Sequence, residues 1–499
     1  MDSLPSADAV RELEGREPQA ASVWHEVRAD ALSSPDDADA CRFALAAASR
    51  HATGIRRATL LRRLADAQLL AGQPDAAMVT LQGVGRVLSP QPLPEDAETA
   101  RALAALQAHA AADDWASLSA TAALAAVELT KAEALSHLIK RDDAMAAFAD
   151  VERRLKNIDG PAAAQLWVRW ARAQTWFLCE ILGDAAAALD VCARVRARVP
   201  RHALADATHA IALLRAEEVA STSAGDFERG RALVEEQISL AQSQGAPREE
   251  CLAWNARAIL HFGMGELQQA RAAYQRALEL SLSTRWSRRE AITSHNLALL
   301  ATEQLELDEA ERLELHYQAL SVQIGNTAGQ AEAPLVLAAI ELARGRLAEA
   351  EPLIHQARRA AEQAGWVMLA AWGRSLQGRL HAQRYVAERE ALELGKARTH
   401  LLAALDTLEE HSVAWSEELD PGETYALLAW ALFRAGQPDK AKEAVARGAA
   451  RVPKQNAVSA RTLALGRAVV EGRPIGEELG WFDERGYRRV VALWRALAG

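Results

Sequence analysis

The sequence predicts an all-α fold, a right-handed superhelical solenoid built from antiparallel helical hairpins. Three observations support this prediction. Alanine, leucine, glutamate and arginine dominate the 499 residues, runs of β-branched residues are nearly absent, and small residues recur at a nearly fixed pitch. Good helix formers throughout argue against a sheet. A fixed pitch sustained along most of the chain argues against a domain with a single core.

Residues 253–280, AWNARAILHFGMGELQQARAAYQRALEL, contain the clearest copy of the repeat. Small residues at Ala258 and Ala270 allow two helices, A and B, to cross closely. Gly265 provides the turn between them, and Tyr274 fills the space toward the next hairpin. This segment therefore predicts one complete helical hairpin.

The small residue of helix B marks the repeat along the chain. With Ala270 taken as position 20 of its hairpin, equivalent residues follow one another at steps of 40 to 47. These markers are Ala188, Gly230, Ala270, Ala310, Ala350, Ala397 and Ala441, preceded at less regular steps by Ala38, Ala77 and Ala144. Two residues depart from the pattern: Glu218 stands where a small residue is expected, and Glu314 replaces the aromatic residue of helix B.

The best-conforming hairpin resembles the tetratricopeptide repeat, which has a tryptophan, small residues, a glycine and aromatic residues in a set order. The residues that carry the resemblance are Trp254, Ala258, His261, Gly265, Ala270, Tyr274 and Ala277. The long pitch is similar to the arrays of MalT-type bacterial transcription activators and of sensor regions attached to bacterial ATPases and kinases. The resemblance covers most of 55–450 and implies that helix A lines a concave surface. It leaves the function open, because such arrays bind many different things.

The repeat markers also predict how the chain is organised. We expect a degenerate N-terminal repeat or cap at 1–54, and hairpins at 55–160 interrupted by the proline-rich stretch 89–98. A regular array should follow at 161–450, with capping helices at 451–499.

Three tryptophans are concentrated in LWVRWARAQTWFLCE, residues 166–180. Counting back from Ala188 places Trp176 at position 8 of helix A, where the two helices cross. Trp170 and Phe177 fall at positions 2 and 9, seven residues apart and therefore on one face. We expect Trp176 to be a packing residue, and Trp170 and Phe177 to line the concave groove.

Positions 2, 5, 6 and 9 of helix A predict the lining of this groove in successive hairpins. They give a polar series of arginine, asparagine and histidine above an apolar floor. Asparagine amides both donate and accept, so they can bind the backbone of an extended peptide. The predicted partner-binding residues are Trp170, Gln174, Phe177, Arg215, Asn255, Ile259, His295, Asn296 and Leu299. Alternatively, these polar groups are solvated or satisfy one another.

Charge and hydropathy narrow the possible partners. The net charge is −10 and no long basic run occurs, so neither nucleic acid nor an anionic membrane is the expected partner. The N-terminus lacks a signal-peptide core, and no stretch approaches the length of a transmembrane helix. The four cysteines show no CxxC spacing. We therefore expect a cytoplasmic protein with reduced thiols.

Motifs for catalysis are missing from the sequence. No phosphate-binding loop, HExxH zinc motif or GxSxG elbow occurs, so we predict no catalytic residue, no metal site and no cofactor. The expected function is a non-enzymatic binding or scaffold module for a peptide or protein partner, in bacterial regulation or complex assembly. Without an effector domain, the chain should act through another polypeptide or be part of a larger protein. The alternatives are a small-molecule or peptide-pheromone sensor that changes superhelical shape, and an enzyme on a solenoid scaffold.

Overall fold

The computed structural model describes residues 54–70, 74–88, 120–137, 140–158, 161–182, 184–199, 207–410, 419–452 and 456–499, together with residues 45, 46 and 49. Every regular element in these ranges is helical. The helices are α1 (Gly54–Leu70), α2 (Pro74–Leu88), α3 (Ala120–His137), α4 (Arg141–Leu155), α5 (Pro161–Trp176), α6 (Ala185–Arg198), α7 (Ala207–Ser223), α8 (Phe227–Ser243), α9 (Pro247–Gly263), α10 (Leu267–Ser283), α11 (Ser287–Glu303), α12 (Leu307–Gln323), α13 (Thr327–Ala343), α14 (Leu347–Ala364), α15 (Val367–Glu388), α16 (Ala391–Glu410), α17 (Pro421–Arg434), α18 (Pro438–Arg451), α19 (Ala457–Val470), α20 (Gly476–Glu484) and α21 (Arg488–Ala498). A π-helical segment, Phe177–Ile181, continues α5. Within these ranges, no helix is both long and apolar enough to cross a membrane.

Helices α1 to α18 pair into nine consecutive hairpins, in which each odd-numbered helix is helix A and each even-numbered helix is helix B. All eight marker alanines in the described ranges are fully buried at the helix crossings: Ala77, Ala144, Ala188, Ala270, Ala310, Ala350, Ala397 and Ala441. At the ninth marker, Gly230, a Cβ atom would lie 2.6 Å from Thr222 Oγ1, so even a methyl group is too large there. The predicted solenoid of helical hairpins is confirmed. The marker Ala38 and the proline-rich stretch 89–98 lie outside the described residues.

The turns repeat as regularly as the crossings. Between residues 225 and 365 a residue with positive φ recurs every 20 positions, at alternating A–B and B–A turns. The series is Gly225, Gly245, Gly265, Arg285, Leu305, Gly325, Gly345 and Gly365. Each 40-residue repeat in this part of the chain therefore consists of two half-repeats of equal length. Only Arg285 and Leu305 place a side chain in the left-handed region within this series.

Contacts between hairpins identify the inner layer of the solenoid. Along most of the array an odd-numbered helix contacts the next odd-numbered helix, as α5 does α7 and α13 does α15. Contacts of similar extent do not join consecutive even-numbered helices among the described residues. Because elements on the inside of a curve approach one another more closely, the A helices form the concave face.

The last helices do more than cover the final hairpin. Helix α19 packs on α17, but α20 and α21 turn back across the A helices near the middle of the array. Tyr487, just before α21, donates its hydroxyl hydrogen bond to the carbonyl oxygen of Phe262 on α9, at 2.9 Å. Trp430 Nε1 on α17 donates to the carbonyl oxygen of Leu497 at 3.0 Å. The C-terminal helices α20 and α21 thus occupy part of the concave face.

Candidate functional site

The residues predicted to line the groove lie on four successive A helices. Six of them are buried, with at most 7% of the side chain exposed, whereas three are half-buried. The buried six are Trp170, Gln174, Phe177, Asn255, His295 and Asn296, and the half-buried three are Arg215, Ile259 and Leu299. Much of the predicted lining is therefore covered.

Asn255 and Asn296 come together across adjacent hairpins. Nδ2 of Asn296 donates to Oδ1 of Asn255 at 3.3 Å, and each side chain is only 6% exposed. The two amides satisfy one another, which is the alternative that the sequence left open. Their binding to a partner stays a prediction, and a partner would have to compete with this bond.

His295 points into its own hairpin, so its assignment to the groove is wrong. Its Nδ1 lies 3.2 Å from both carboxylate oxygens of Glu314 on α12, and its ring centroid is 4.6 Å from that of Tyr317. Glu314 is fully buried. Burial raises the pKa of Glu314, and the nearby His295 opposes that rise. The histidine thus accommodates an acid at the position where the repeat normally has an aromatic residue.

The two faces of α5 are the reverse of those predicted. Trp170 and Phe177 are fully buried, and Trp170 Nε1 donates to the carbonyl oxygen of Phe148 at 3.1 Å. The rings of Phe148 and Phe177 pack with centroids 5.7 Å apart. Trp176, the predicted packing residue, is half-buried. The prediction that Trp170 and Phe177 line the groove is therefore wrong.

The π-helical segment explains this reversal. Leu182 N donates to Phe177 O at 3.2 Å, a bond that spans five residues and adds one residue to the turn. If residues are counted back from Ala188 without this extra residue, every residue of α5 is assigned to a helix A position that is one too low. Thr175, fully buried and with Oγ1 3.4 Å from Sγ of Cys192 on α6, occupies the crossing position instead. Arg172 and Trp176 then take the groove positions 5 and 9.

Arginines from three A helices lie together on the concave face. We call Arg172 on α5, Arg215 on α7 and Arg289 in the first turn of α11 the arginine cluster. Neither Arg215 nor Arg289 forms an ion pair with a carboxylate of the described residues. Arg172 is exposed, and its nearest carboxylate oxygen, on Glu133, is 4.0 Å away. Most other half-buried arginines of the array, such as Arg271 and Arg344, are paired with acids.

The cluster is electrostatically unfavourable in the unliganded chain. Burial and, after it, the charge of Arg215 lower the pKa of Arg289 to about 9. Burial also lowers the pKa of Arg215, with a second contribution from Arg172. The charge of Glu249 raises the pKa of both arginines, without forming an ion pair with either. An anion placed among these guanidinium groups would relieve both repulsion and desolvation.

Trp286 holds one side of the cluster in place. It precedes α11, and its ring centroid is 5.4 Å from the guanidinium carbon of Arg289 and 5.5 Å from that of Arg248. Such cation–π contacts orient a guanidinium group without using its N–H donors. Sequence reasoning missed Arg289 because it lies before position 1 of its hairpin. The pair of adjacent arginines after Trp286 was the available signal.

Further along the array, α21 inserts charge into the concave face. Arg489 donates from Nη1 and Nη2 to the two oxygens of Glu423 at 3.0 and 2.6 Å, and from Nε to Glu303 at 2.6 Å. The pKa of Glu423 is held at about 2, since Arg489 and then Arg379 outweigh the effect of burial. Leu299 lies beneath this contact, facing the same space as Tyr487. The predicted groove is therefore covered by the chain itself in this region.

One segment of the chain matches a known family. Residues 251–282, which span most of α9 and α10, match the model of the tetratricopeptide repeat family. The chain therefore contains a tetratricopeptide repeat (TPR) at α9 and α10. Its array extends the matched hairpin in both directions, with buried alanines at equivalent positions. No curated protein matches this chain in sequence.

Solved structures that are similar to this chain include three at low sequence identity. A Rap protein complexed with competence and sporulation factor is 13% identical, with 76% of this chain and 99% of that one covered and a TM-score of 0.46. Aspartyl phosphate phosphatase F from Bacillus subtilis is 10% identical, with coverages of 72% and 96% and a TM-score of 0.46. A signal-transduction ATPase with a TPR sensor from Pyrococcus horikoshii is 15% identical, with coverages of 81% and 55% and a TM-score of 0.46. Likeness at this level carries no conclusion about what this TPR array binds.

Proposed function

We propose that the TPR array is a non-catalytic binding module that takes an acidic, extended segment of a partner protein at the arginine cluster. The observation that carries the proposal is the absence of ion pairs, among the described residues, at Arg215 and Arg289. Such a module would serve regulation or the assembly of a complex.

The chemistry of the cluster favours carboxylates. A guanidinium group presents parallel N–H donors that match a carboxylate, and such bonds are stronger than those between neutral groups. The chain as a whole carries a net charge of −10, whereas the arginine cluster concentrates positive charge on the concave face. It would attract acidic ligands and repel basic ones.

The spacing of the cluster favours an extended ligand over a single small anion. Arg172 and Arg215 come from adjacent A helices, whose axes are about 8–10 Å apart when packed, whereas α9 separates Arg215 from Arg289 on α11. Adjacent side chains on one face of an extended peptide are about 7 Å apart. Acidic residues at intervals along one extended segment could therefore reach all three arginines.

The proposal can be tested with a fluorescein-labelled octaglutamate peptide and fluorescence anisotropy. We expect saturable binding that weakens as salt rises from about 50 to about 200 mM, because the Debye length shortens. Arg215→Ala and Arg289→Ala should each weaken binding by roughly 10- to 100-fold, the equivalent of about 1.5–3 kcal/mol for a hydrogen bond between charged groups. Arg289→Ala should melt no earlier than the unmodified protein, since it removes an unpaired, half-buried charge.

Arg312→Ala provides the matched control, because Arg312 is exposed on α12, helix B of the hairpin that contains Arg289. It should bind octaglutamate as the unmodified protein does. An octalysine peptide should not bind. Equal binding of both peptides, or equal losses in the Arg312 and Arg215 variants, would overturn the proposal.

A further inference from the structure

A second polar site lies at the other end of the concave face, beneath the C-terminal helices. Here a partly open cavity of about 90 Å³ lies between the A helices α9 to α17 on one side and α19 and α21 on the other. Its apolar wall includes Phe262, Leu299, Trp372 and Leu376. Its polar wall includes Glu303, Arg379, Glu423, Asn456 and Arg489, so this is no ordinary packing defect.

Arg379 has one edge of its guanidinium group unused. The side chain is only 7% exposed, and its Nη1 donates to Glu423 at 3.4 Å. Nε and Nη2 are buried and have no hydrogen-bond partner among the described residues. These two nitrogens form the side of the guanidinium group that binds a carboxylate through two parallel hydrogen bonds. Glu423 contacts Arg379 only at Nη1, while its two oxygens also accept bonds from Arg489.

Two further unpartnered groups line the same cavity. Nδ2 of Asn456 is a donor in a side chain that is 1% exposed, while its Oδ1 caps α19 by accepting from Ser459 N at 2.9 Å. Oε2 of Glu303 is an acceptor, while its Oε1 accepts from Arg489. Leaving buried groups without partners costs about 1–3 kcal/mol each, so such a concentration in one place calls for a ligand.

We infer that this cavity binds a small α-amino or α-hydroxy acid, with its carboxylate on Arg379 and Asn456 and its amino or hydroxyl group donating to Glu303. The unpartnered donors match a carboxylate, and the unpartnered acceptor requires a donor on the ligand. The site is separate from the arginine cluster and goes beyond the proposed function.

The volume limits the ligand to a few atoms. A cavity of ~150 Å³ holds benzene, with six non-hydrogen atoms, so a cavity of about 90 Å³ suits about four. Glycine and glycolate, with about five, lie closest to this number, whereas alanine and lactate are larger. The same space could hold ordered water molecules alone, and that outcome has to be distinguished by experiment.

The position of the cavity couples ligand binding to the docking of the C-terminal helices. Arg379 belongs to the array, whereas Asn456 precedes α19 and Arg489, which holds Glu303, belongs to α21. A ligand that bridges these groups binds only when the C-terminal helices are in place. It should therefore stabilise the folded chain, by an amount that grows with the logarithm of the ligand concentration once this exceeds Kd.

The test is thermal unfolding and isothermal titration calorimetry of the full chain with glycine, glycolate, acetate and acetamide. We expect glycine or glycolate to raise the melting temperature with saturable, one-to-one binding. Acetate, which lacks the donor, should bind at least tenfold more weakly, and acetamide should not bind. No heat and no shift with either glycine or glycolate would mean that water alone fills the cavity, and would overturn the inference.

Two variants locate the site. Arg379→Lys keeps the charge but loses the paired donors, and should weaken binding at least tenfold. Asn456→Asp keeps the oxygen that caps α19 but replaces the donor with a negative oxygen, so it should abolish binding. This variant tests the site independently if Arg379→Lys does not fold. Arg374→Lys, on α15 but outside the cavity, is the control and should bind normally. Unchanged affinity in Asn456→Asp would place the ligand elsewhere and contradict the inference. Octaglutamate binding should persist in all three variants, so the two proposals can fail independently.

Discussion

Trp481 lies directly against Gly265. A Cβ atom on that glycine would be 2.6 Å from Cη2 of the indole ring and 3.1 Å from Cζ2. Gly265 forms the turn between α9 and α10, in the middle of the array, whereas Trp481 belongs to α20. The contact therefore joins the C-terminal helices to the hairpin that best matches the TPR pattern, and the smallest residue at the turn allows it.

Gly265→Ala should detach or displace α20. A methyl group there suffers both the left-handed conformation, φ +82°, and the clash with Trp481. Gly345→Ala is the matched control, since its φ is +77° and no atom lies within 4 Å of the added Cβ. We expect Gly345→Ala to cost about 1–2 kcal/mol and Gly265→Ala to cost a further ~1–3 kcal/mol in chemical denaturation. Equal losses would show that the Trp481 contact does not contribute to stability.

The two tryptophans of α5 should respond to mutation in opposite ways. Trp170→Ala removes a fully buried ring and the hydrogen bond to Phe148, so it should lower the free energy of unfolding by about 3–5 kcal/mol. Trp176→Ala removes a half-buried ring and should cost roughly 1–2 kcal/mol. Chemical denaturation of both variants measures the difference. If Trp176→Ala lowers the free energy of unfolding more than Trp170→Ala does, Trp176 is the packing residue, as counting back from Ala188 without the extra residue predicts.

The fold was predictable because its main constraint is local and periodic. Two helices can cross closely only over small side chains, so the sequence must place an alanine or glycine at each crossing. Ala188, Ala270, Ala350 and the other markers record that requirement, and each of these alanines is fully buried. The turn glycines repeat for a related reason, since only a few residues adopt the left-handed backbone without strain.

The candidate site was less predictable because it depends on departures from the pattern. The extra residue at Phe177–Ile181 is a backbone feature that residue spacing does not show, and it reversed the faces of α5. The bond from Tyr487 to Phe262 joins residues that are 225 positions apart, and no local motif encodes such a contact. The repeat positions assign Arg215 to the groove, whereas they miss Arg289 because it precedes the repeat.

Arg285 offers a site for stabilisation. It is exposed and has φ 51°, at a turn where the equivalent positions are mostly glycine. Because a left-handed conformation costs a side-chain-bearing residue about 1–2 kcal/mol, Arg285→Gly should raise the free energy of unfolding by up to ~1 kcal/mol after the entropic cost of glycine. Arg312→Gly, in an exposed helix interior, should instead cost about 1 kcal/mol. Destabilisation of similar size in both variants would show that the turn at Arg285 is not strained.

Glu218 should make the array less stable as the pH rises. Burial raises the pKa of this carboxyl group from 4.5 to about 7, against the opposing effects of Arg215 and of the hydrogen bond from Thr222. The folded chain therefore holds this proton more tightly than the unfolded chain does. The free energy of unfolding should fall between pH 4.5 and about 7, by up to ~3 kcal/mol, and then level off.

Glu218→Gln removes the ionisation, so it should stabilise the chain at about pH 8 and have little effect near pH 4.5. Glu236→Gln, exposed on α8, is the control and should leave the pH profile unchanged. Denaturant midpoints across this pH range measure the effect. If the Glu218→Gln variant proves less stable than the unmodified protein at about pH 8, the ionised carboxylate stabilises the fold and the predicted pH dependence is wrong.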